Sequence, residues 1–301
     1  MQADQSDPAV RARVAELTAK RSSWSDPSVA VADIDVPGPH GPIRLRVYRP
    51  RGPLSRALLW AHGGGFGAGC IDMPEAHTVS GELARRAGAL VVSVDYRLAG
   101  DGVRYPVPLN DVHAAWRWLT SDGIASLPGG SPAAVGGASA GAALALATAL
   151  RARDERPADA VLLAYPFAHF PNPALDGPIV AEMELQPAFT RCTATIVEAM
   201  VRGYVGRISD LPPDALPGAA RLDGLPATRI SLSEYDDLRP SGELLERQLR
   251  DVGVPVSSLL VEGTPHGHLD HDGIIPPVEE SLEFLAGGLR QASRRPGTQF
   301  A

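Results

Sequence analysis

The stretch VGGASAGAALA, residues 135–145, carries more information about this chain than any other. A short apolar run, AAVGG (133–137), enters it. An alanine- and leucine-rich helical pattern, AGAALALATALRAR (140–153), leaves it, with Gly137-Ala138-Ser139-Ala140-Gly141 at the join. Only small residues flank the serine, so strand and helix can approach closely and the hydroxyl stands out on a sharp turn. The helix that follows directs the positive end of its dipole at negative charge developing near Ser139. G-x-S-x-G in a strand–turn–helix setting marks a serine nucleophile. A dinucleotide-binding loop could also follow a strand here, but the G-x-G-x-x-G spacing is absent.

Outward from this turn, short apolar runs alternate with helical patterns. The strand candidates are 29–36, 43–49, 57–62, 89–96, 133–137, 160–166, 228–235 and 256–263. The first two alternate apolar and polar residues and meet at PGPHGP, which reads as an antiparallel hairpin at a sheet edge. The later runs are more continuously apolar, as parallel strands covered on both faces are. Helical patterns occupy 74–88, 109–123, 140–153, 240–253 and 276–291. Such alternation predicts an α/β architecture, a mostly parallel eight-stranded sheet flanked by helices.

Two segments break the rhythm. Residues 1–28 precede the first strand and contain a helical pattern, PAVRARVAELTAKR. Residues 168–225 are long, proline-rich and weakly patterned, and an insert of that length in a compact domain usually serves function. Together they are expected to form a cap over a core made of 29–167 and 226–301. Phe167, Phe170 and Phe189 are candidates to line a modest apolar pocket. The tail 293–301 is expected to fray.

Acyl chemistry needs more than a nucleophile. His62-Gly63-Gly64-Gly65-Phe66 follows the third strand candidate, and its glycines let backbone N–H groups approach a substrate oxygen without Cβ obstruction. Gly64 and Gly65, with Ala140 after the nucleophile, are the expected oxyanion-hole donors. His62 reads as a brace of this loop rather than a base. Asp236 and Asp237 end the seventh strand candidate, and His266 lies in the loop after the eighth. The order serine, aspartate, histidine, each at the carboxyl end of a strand, suits a catalytic triad in an open α/β sheet. His266, His268, Asp270 and His271 also match the spacing of a binuclear zinc motif, but no histidine follows His271, so no metal is expected. His268 and His271 read as loop residues near the pocket mouth, and Asp95, Tyr96, Arg97 and Asp111 as braces.

Composition narrows the partners. The chain has 301 residues, 44% of them hydrophobic and 21% charged, and a formal net charge of −7. An acidic chain without a basic face is a poor nucleic-acid binder. No apolar run is long enough to span a bilayer, and no secretory leader is evident at the start. Cys70 and Cys192 are the only cysteines, which points to a reducing cytoplasm. Lys20 is the only lysine, which leaves Schiff-base and Walker-type chemistry without a residue to carry it. No cofactor is expected. The partner is a small-molecule ester, with a homodimer left open.

HGGGF, DYRLA (95–99), GASAG, EYDDLR (234–239) and HGH occur in an order that resembles the hormone-sensitive-lipase-like, or bacterial family IV, esterases of the α/β-hydrolase fold. The resemblance covers about residues 57 to 290. It implies Ser139, Asp236 and His266 as the triad, Asp236 being the aspartate that precedes x-Leu-Arg. It also implies serine carboxylesterase activity on acyl chains of short to medium length. The family elbow usually reads Gly-Asp-Ser-Ala-Gly, and Ala138 stands here in place of its aspartate. Gly100 and Asp101 replace the usual proline and acid, and Asp237 a proline after the triad acid. Asp237 is expected to face solvent. Amidase, deacetylase or acyltransferase chemistry with the same triad stays open, as does a non-catalytic small-molecule receptor.

Overall fold

The structure is a computed structural model that describes residues 21–175, 177–271 and 274–294. Eight strands form a single sheet in the order β1-β2-β4-β3-β5-β6-β7-β8. They are β1 (Val29–Val36), β2 (Ile43–Pro50), β3 (Ala57–Ala61), β4 (Leu90–Asp95), β5 (Ala133–Ala138), β6 (Ala160–Ala164), β7 (Thr228–Tyr235) and β8 (Val256–Pro265). The β1–β2 and β2–β4 pairings are antiparallel, and the remaining neighbours run parallel. The expected edge hairpin and parallel interior are both present.

The central strands are buried on both faces, and their side chains alternate between two apolar layers as the pleat requires. On β3, Leu58 and Trp60 join one layer with α1 (Pro74–Ala87) and α7 (Pro276–Gln291). Ala57, Leu59 and Ala61 join the other, with α2 (Val107–Leu119), α3 (Ala140–Arg151) and α6 (Arg239–Asp251). These helices start and stop within a few residues of the sequence patterns that predict them.

Strand order explains where chemistry can gather. The chain passes from β3 to β4 on one side and returns to β5 on the other, so the loops after β3 and β5 diverge from adjacent strand ends. Crevices at the carboxyl ends of strands where the order reverses are the usual ligand sites of open α/β sheets. In the parallel register Ala61 stands opposite Gly137, which brings the His62–Phe66 loop beside Ser139. β7 and β8 are also neighbours, which brings the Asp236 and His266 loops together.

Sequence periodicity missed part of the 168–225 insert. It contains α4 (Ile179–Glu184), α5 (Ala194–Val205) and 3₁₀ turns at Ala188–Thr190, Ile208–Asp210 and Pro217–Ala219. α5 buries Val197, Val201 and Tyr204. That i, i+4, i+7 stripe is short and lies among β-branched residues and a glycine, which lower helix propensity. The N-terminal helix expected over 8–21 and the tail from 295 lie outside the described residues, Arg21 excepted. Within 21–28, Trp24 packs edge-on to Tyr48 and His77 and donates a 2.9 Å hydrogen bond to Glu82 on α1.

Candidate active site

Ser139 occupies the join of β5 and α3 with φ at +53°, a left-handed conformation costly for a residue with a Cβ. Neighbouring backbone holds it there. Its N–H donates to Ala164 O at 2.9 Å, and its carbonyl accepts from Phe167 at 3.2 Å and from Ala142 at 3.1 Å. Glycine is required beside it for closeness: a Cβ at Gly137 would lie 2.5 Å from Gly141 O, and one at Gly141 would strike the Ala61 carbonyl.

Ser139 Oγ lies 2.9 Å from His266 Nε2, and His266 Nδ1 lies 2.7 Å from Asp236 Oδ2. A carboxylate only accepts hydrogen bonds, so Nδ1 carries the proton and Nε2 is left to accept from the serine hydroxyl. The second oxygen of Asp236 accepts from Leu238 N at 2.7 Å, and the side chain is fully buried. Burial opposes a charged His266. The charge and hydrogen bond of Asp236 outweigh it, with Glu75 and Asp237 acting in the same direction, and the imidazole pKa is raised above its ordinary value.

Asp237 departs from expectation. Its carboxylate bonds to groups other than His266, yet it does not face solvent. Arg191 Nε and Nη2 donate to its two oxygens at 2.8 and 2.9 Å, and Cys192 N donates at 2.8 Å. Asn172 Nδ2 donates to its backbone carbonyl at 2.7 Å. The residue beside the triad acid therefore anchors the insert, and Leu238 turns into the core.

The loop after β3 is shaped by glycine: Gly64 has φ of +104° and Gly65 of +59°. Gly67 and Ala68 donate to Gly64 O at 3.2 and 2.9 Å and close the turn. Among the described residues, the N–H groups of Gly64, Gly65 and Ala140 donate to no other group, Ala140 because a helix start leaves its first N–H groups unpaired. His62 braces the loop as expected. It stacks on Tyr96 with 4.4 Å between ring centroids, and its Nδ1 donates to Gly63 O at 2.8 Å. Burial lowers its pKa to about 4, so it is neutral. From the insert, Met200 sits on Gly65 where a Cβ would be, and Tyr204 stacks on Phe66 at 4.0 Å.

Other sequence candidates sort differently. His268 is not at a pocket mouth: it is buried between Ser233 Oγ at 2.8 Å and Ser281 Oγ at 2.7 Å. Burial drives its pKa down to about 3. The two serines draw it away from His266, so the zinc-like spacing does not converge, and among the described residues no group of three His, Cys, Asp or Glu could hold a metal ion. Arg97 and Asp111 form the expected brace at 2.7 Å. Phe167 is buried in the core against Phe66 rather than in a pocket. Phe170 does line a cavity of about 530 Å³, with Met183, Cys192, Val197 and Asp237. One buried acid was missed altogether. Glu75, at the start of α1, accepts from Gly63 N at 2.5 Å and from the Tyr165 hydroxyl at 2.7 Å. Nothing in its local sequence distinguishes it from an ordinary first-turn helix acid.

A serine on a strained strand-to-helix turn, linked through histidine to a buried aspartate above a mostly parallel sheet, is the architecture of a serine hydrolase. The sequence pattern of the α/β-hydrolase fold family matches residues 58–270. Esterase LipI of Mycobacterium tuberculosis is 34% identical over 264 residues, which cover 85% of this chain and 80% of LipI. Carboxylesterase NlhH of the same organism is 34% identical over 273 residues, covering 83% of this chain and 78% of its own. Among solved structures, an esterase from Pyrobaculum calidifontis superposes with a TM-score of 0.80 at 32% identity, covering 96% of this chain and 93% of the other. The chain belongs to the α/β-hydrolase fold family and, within it, to the hormone-sensitive-lipase-like esterases.

Proposed function

We propose that this protein is a serine carboxylesterase that hydrolyses esters of short-to-medium acyl chains through an acyl-enzyme on Ser139. The observation that carries the reading is the unbroken line from Asp236 through His266 to Ser139 Oγ, with spacings of 2.7 and 2.9 Å. His266 Nε2 takes the hydroxyl proton as Oγ attacks the ester carbonyl carbon. Asp236 holds the imidazole in its productive tautomer and stabilises the imidazolium. The N–H groups of Gly64, Gly65 and Ala140 donate to the oxyanion of the tetrahedral intermediate. Its collapse passes the proton from Nε2 to the departing alcohol, and water then releases the acid by the same route. No cofactor takes part.

Residues 168–225 act as a cap. The docking of α5 on the oxyanion loop supports this, and so does the tie from Arg191 to Asp237. Met200 on Gly65 suits a modest acyl group better than a long one. A cytoplasmic location is consistent with Cys70 and Cys192, both free thiols. Among the described residues no helix is long and apolar enough to cross a membrane.

The test is labelling with a fluorophosphonate probe and mapping of the modified peptide. The label is expected on Ser139 and should be lost, with nearly all turnover, in Ser139→Ala. An active preparation that labels elsewhere, or not at all, refutes the assignment.

A further inference from the structure

We propose that Glu75 is a positioning residue of this site, a buried carboxylate that fixes the oxyanion loop through the Gly63 N–H and faces His266 beside Tyr165. The inference rests on the triad assignment above and adds a second acid to it.

Four observations converge. Glu75 is 3% exposed, yet no cation pairs with it among the described residues, and burying a carboxylate without such a partner is costly. Both of its oxygens accept hydrogen bonds, one from Gly63 N at 2.5 Å and one from the Tyr165 hydroxyl at 2.7 Å. That pattern satisfies a carboxylate, and the start of the 14-residue α1 adds the favourable end of a helix dipole. The first of these bonds holds the residue immediately before the Gly64 and Gly65 donors. A Cβ at Gly63 would lie 2.5 Å from Glu75 Oε2 and 3.1 Å from Ser139 Cβ, so the acid and the nucleophile flank the same glycine.

The second bond leads to the base. The Tyr165 ring stands edge-on to His266 at 5.0 Å and to His268 at 5.0 Å. Tyr165 itself has φ of +35°, a strained backbone at the carboxyl end of β6 that aims its ring beneath the histidine. The charged groups facing His266 are Asp236, Glu75 and Asp237, all acidic, while His268 packs nearby and is neutral. Around Glu75 stand the neutral Tyr165 hydroxyl, the Gly63 N–H and His266, with Asp270 accepting from the Glu75 backbone N–H at 3.4 Å. Burial pushes the Glu75 carboxyl up, against the hydrogen bonds from Tyr165 and Gly63 and the charge of His266. The imidazolium that forms during turnover is then the nearest available counter-charge.

Glu75→Gln separates the two roles, because the amide carbonyl can still accept from Gly63 N but carries no charge. The expected result is a fall in kcat of about tenfold with KM for a small aryl ester held within about twofold. The acid limb of kcat/KM is expected to move to lower pH by about half a pH unit, since His266 loses a neighbour that favours its charged form. Tyr165→Phe keeps the Gly63 bond and should move the limb in the same direction by less. Glu75→Ala removes both roles and should cost more than Glu75→Gln. If it fails to fold, the other two variants still decide. A Glu75→Gln enzyme with wild-type kcat, or one with reduced kcat and an unmoved acid limb, overturns the proposal. Fluorophosphonate labelling of the wild type keeps the two readings apart. Label at Ser139 with an unmoved limb removes Glu75 alone, whereas label elsewhere removes the triad itself.

Discussion

Around Ser139 the chain is made of small, fully buried residues on strand and helix. β5 reads Ala133–Ala138 and α3 begins Ala140-Gly141-Ala142-Ala143, all buried. The insert between β6 and β7 is built otherwise: Leu185 is 85% exposed, and α4 buries only Met183. In the first region close backbone approach fixes the hydroxyl, and nearly every atom contributes. In the second, a few contacts hold a long segment in place. These are Arg191 on Asp237, Arg151 and Tyr105 on Asp214, and Tyr204 on Phe66. The difference separates two jobs. Chemistry demands positions held to fractions of an ångström, which regular elements supply. The cap proposed for 168–225 needs less, because choosing among substrates tolerates a segment whose stability is local.

Three measurements sharpen or break that contrast. The largest effect is expected at Asp236. Replacement by asparagine leaves the shape intact but presents the wrong tautomer to His266, and kcat should fall by roughly 10⁴ with little change in melting temperature. A near-wild-type Asp236→Asn enzyme would remove the triad acid from the core region. Next comes pH. Only neutral His266 can take the serine proton, and its pKa is raised above the ordinary 6.5. kcat/KM should therefore fall about tenfold per pH unit on the acid side, with a midpoint above 6.5 and no loss as pH rises through neutrality. A midpoint well below 6.5 would mean that the acids facing His266 do not set its charge.

The smallest effect belongs to the anchor. Asp237→Asn weakens its bonds to Arg191 and Cys192 N, keeps the Asp236–His266 hydrogen bond and removes only the least of the charges that raise the His266 pKa. KM should rise by about three- to tenfold with kcat nearly unchanged, and limited proteolysis should cut 172–192 sooner than in the wild type. Equal losses in kcat and kcat/KM would show that insert and core are one mechanical unit, and the contrast would fail.

The legibility of the two regions in the sequence differs for the same reason. Strands β1 to β8, the main helices and Ser139, His266 and the Gly64–Gly65 loop could be read because periodicity, small residues and turn glycines leave local marks. Which of two adjacent aspartates is the acid needed the resemblance as well, since alternation says only that they point apart. α5 was missed because its apolar stripe is short, and His268 was misplaced because its partners, Ser233 and Ser281, come from distant elements. Glu75 left no mark at all.

Sequence alone determined the alternation of strand and helix, the strained turn that presents Ser139 and the order of Ser139, Asp236 and His266 along the chain. All of these arise from interactions between residues close along the chain. Tertiary structure decided that Asp237 ties down the insert, that Met200 covers Gly65, and that Glu75 flanks the same glycine, Gly63, as Ser139, 64 positions further on. Those placements depend on strand order and on which side chains the closed core brings face to face, and neither is encoded in any local pattern.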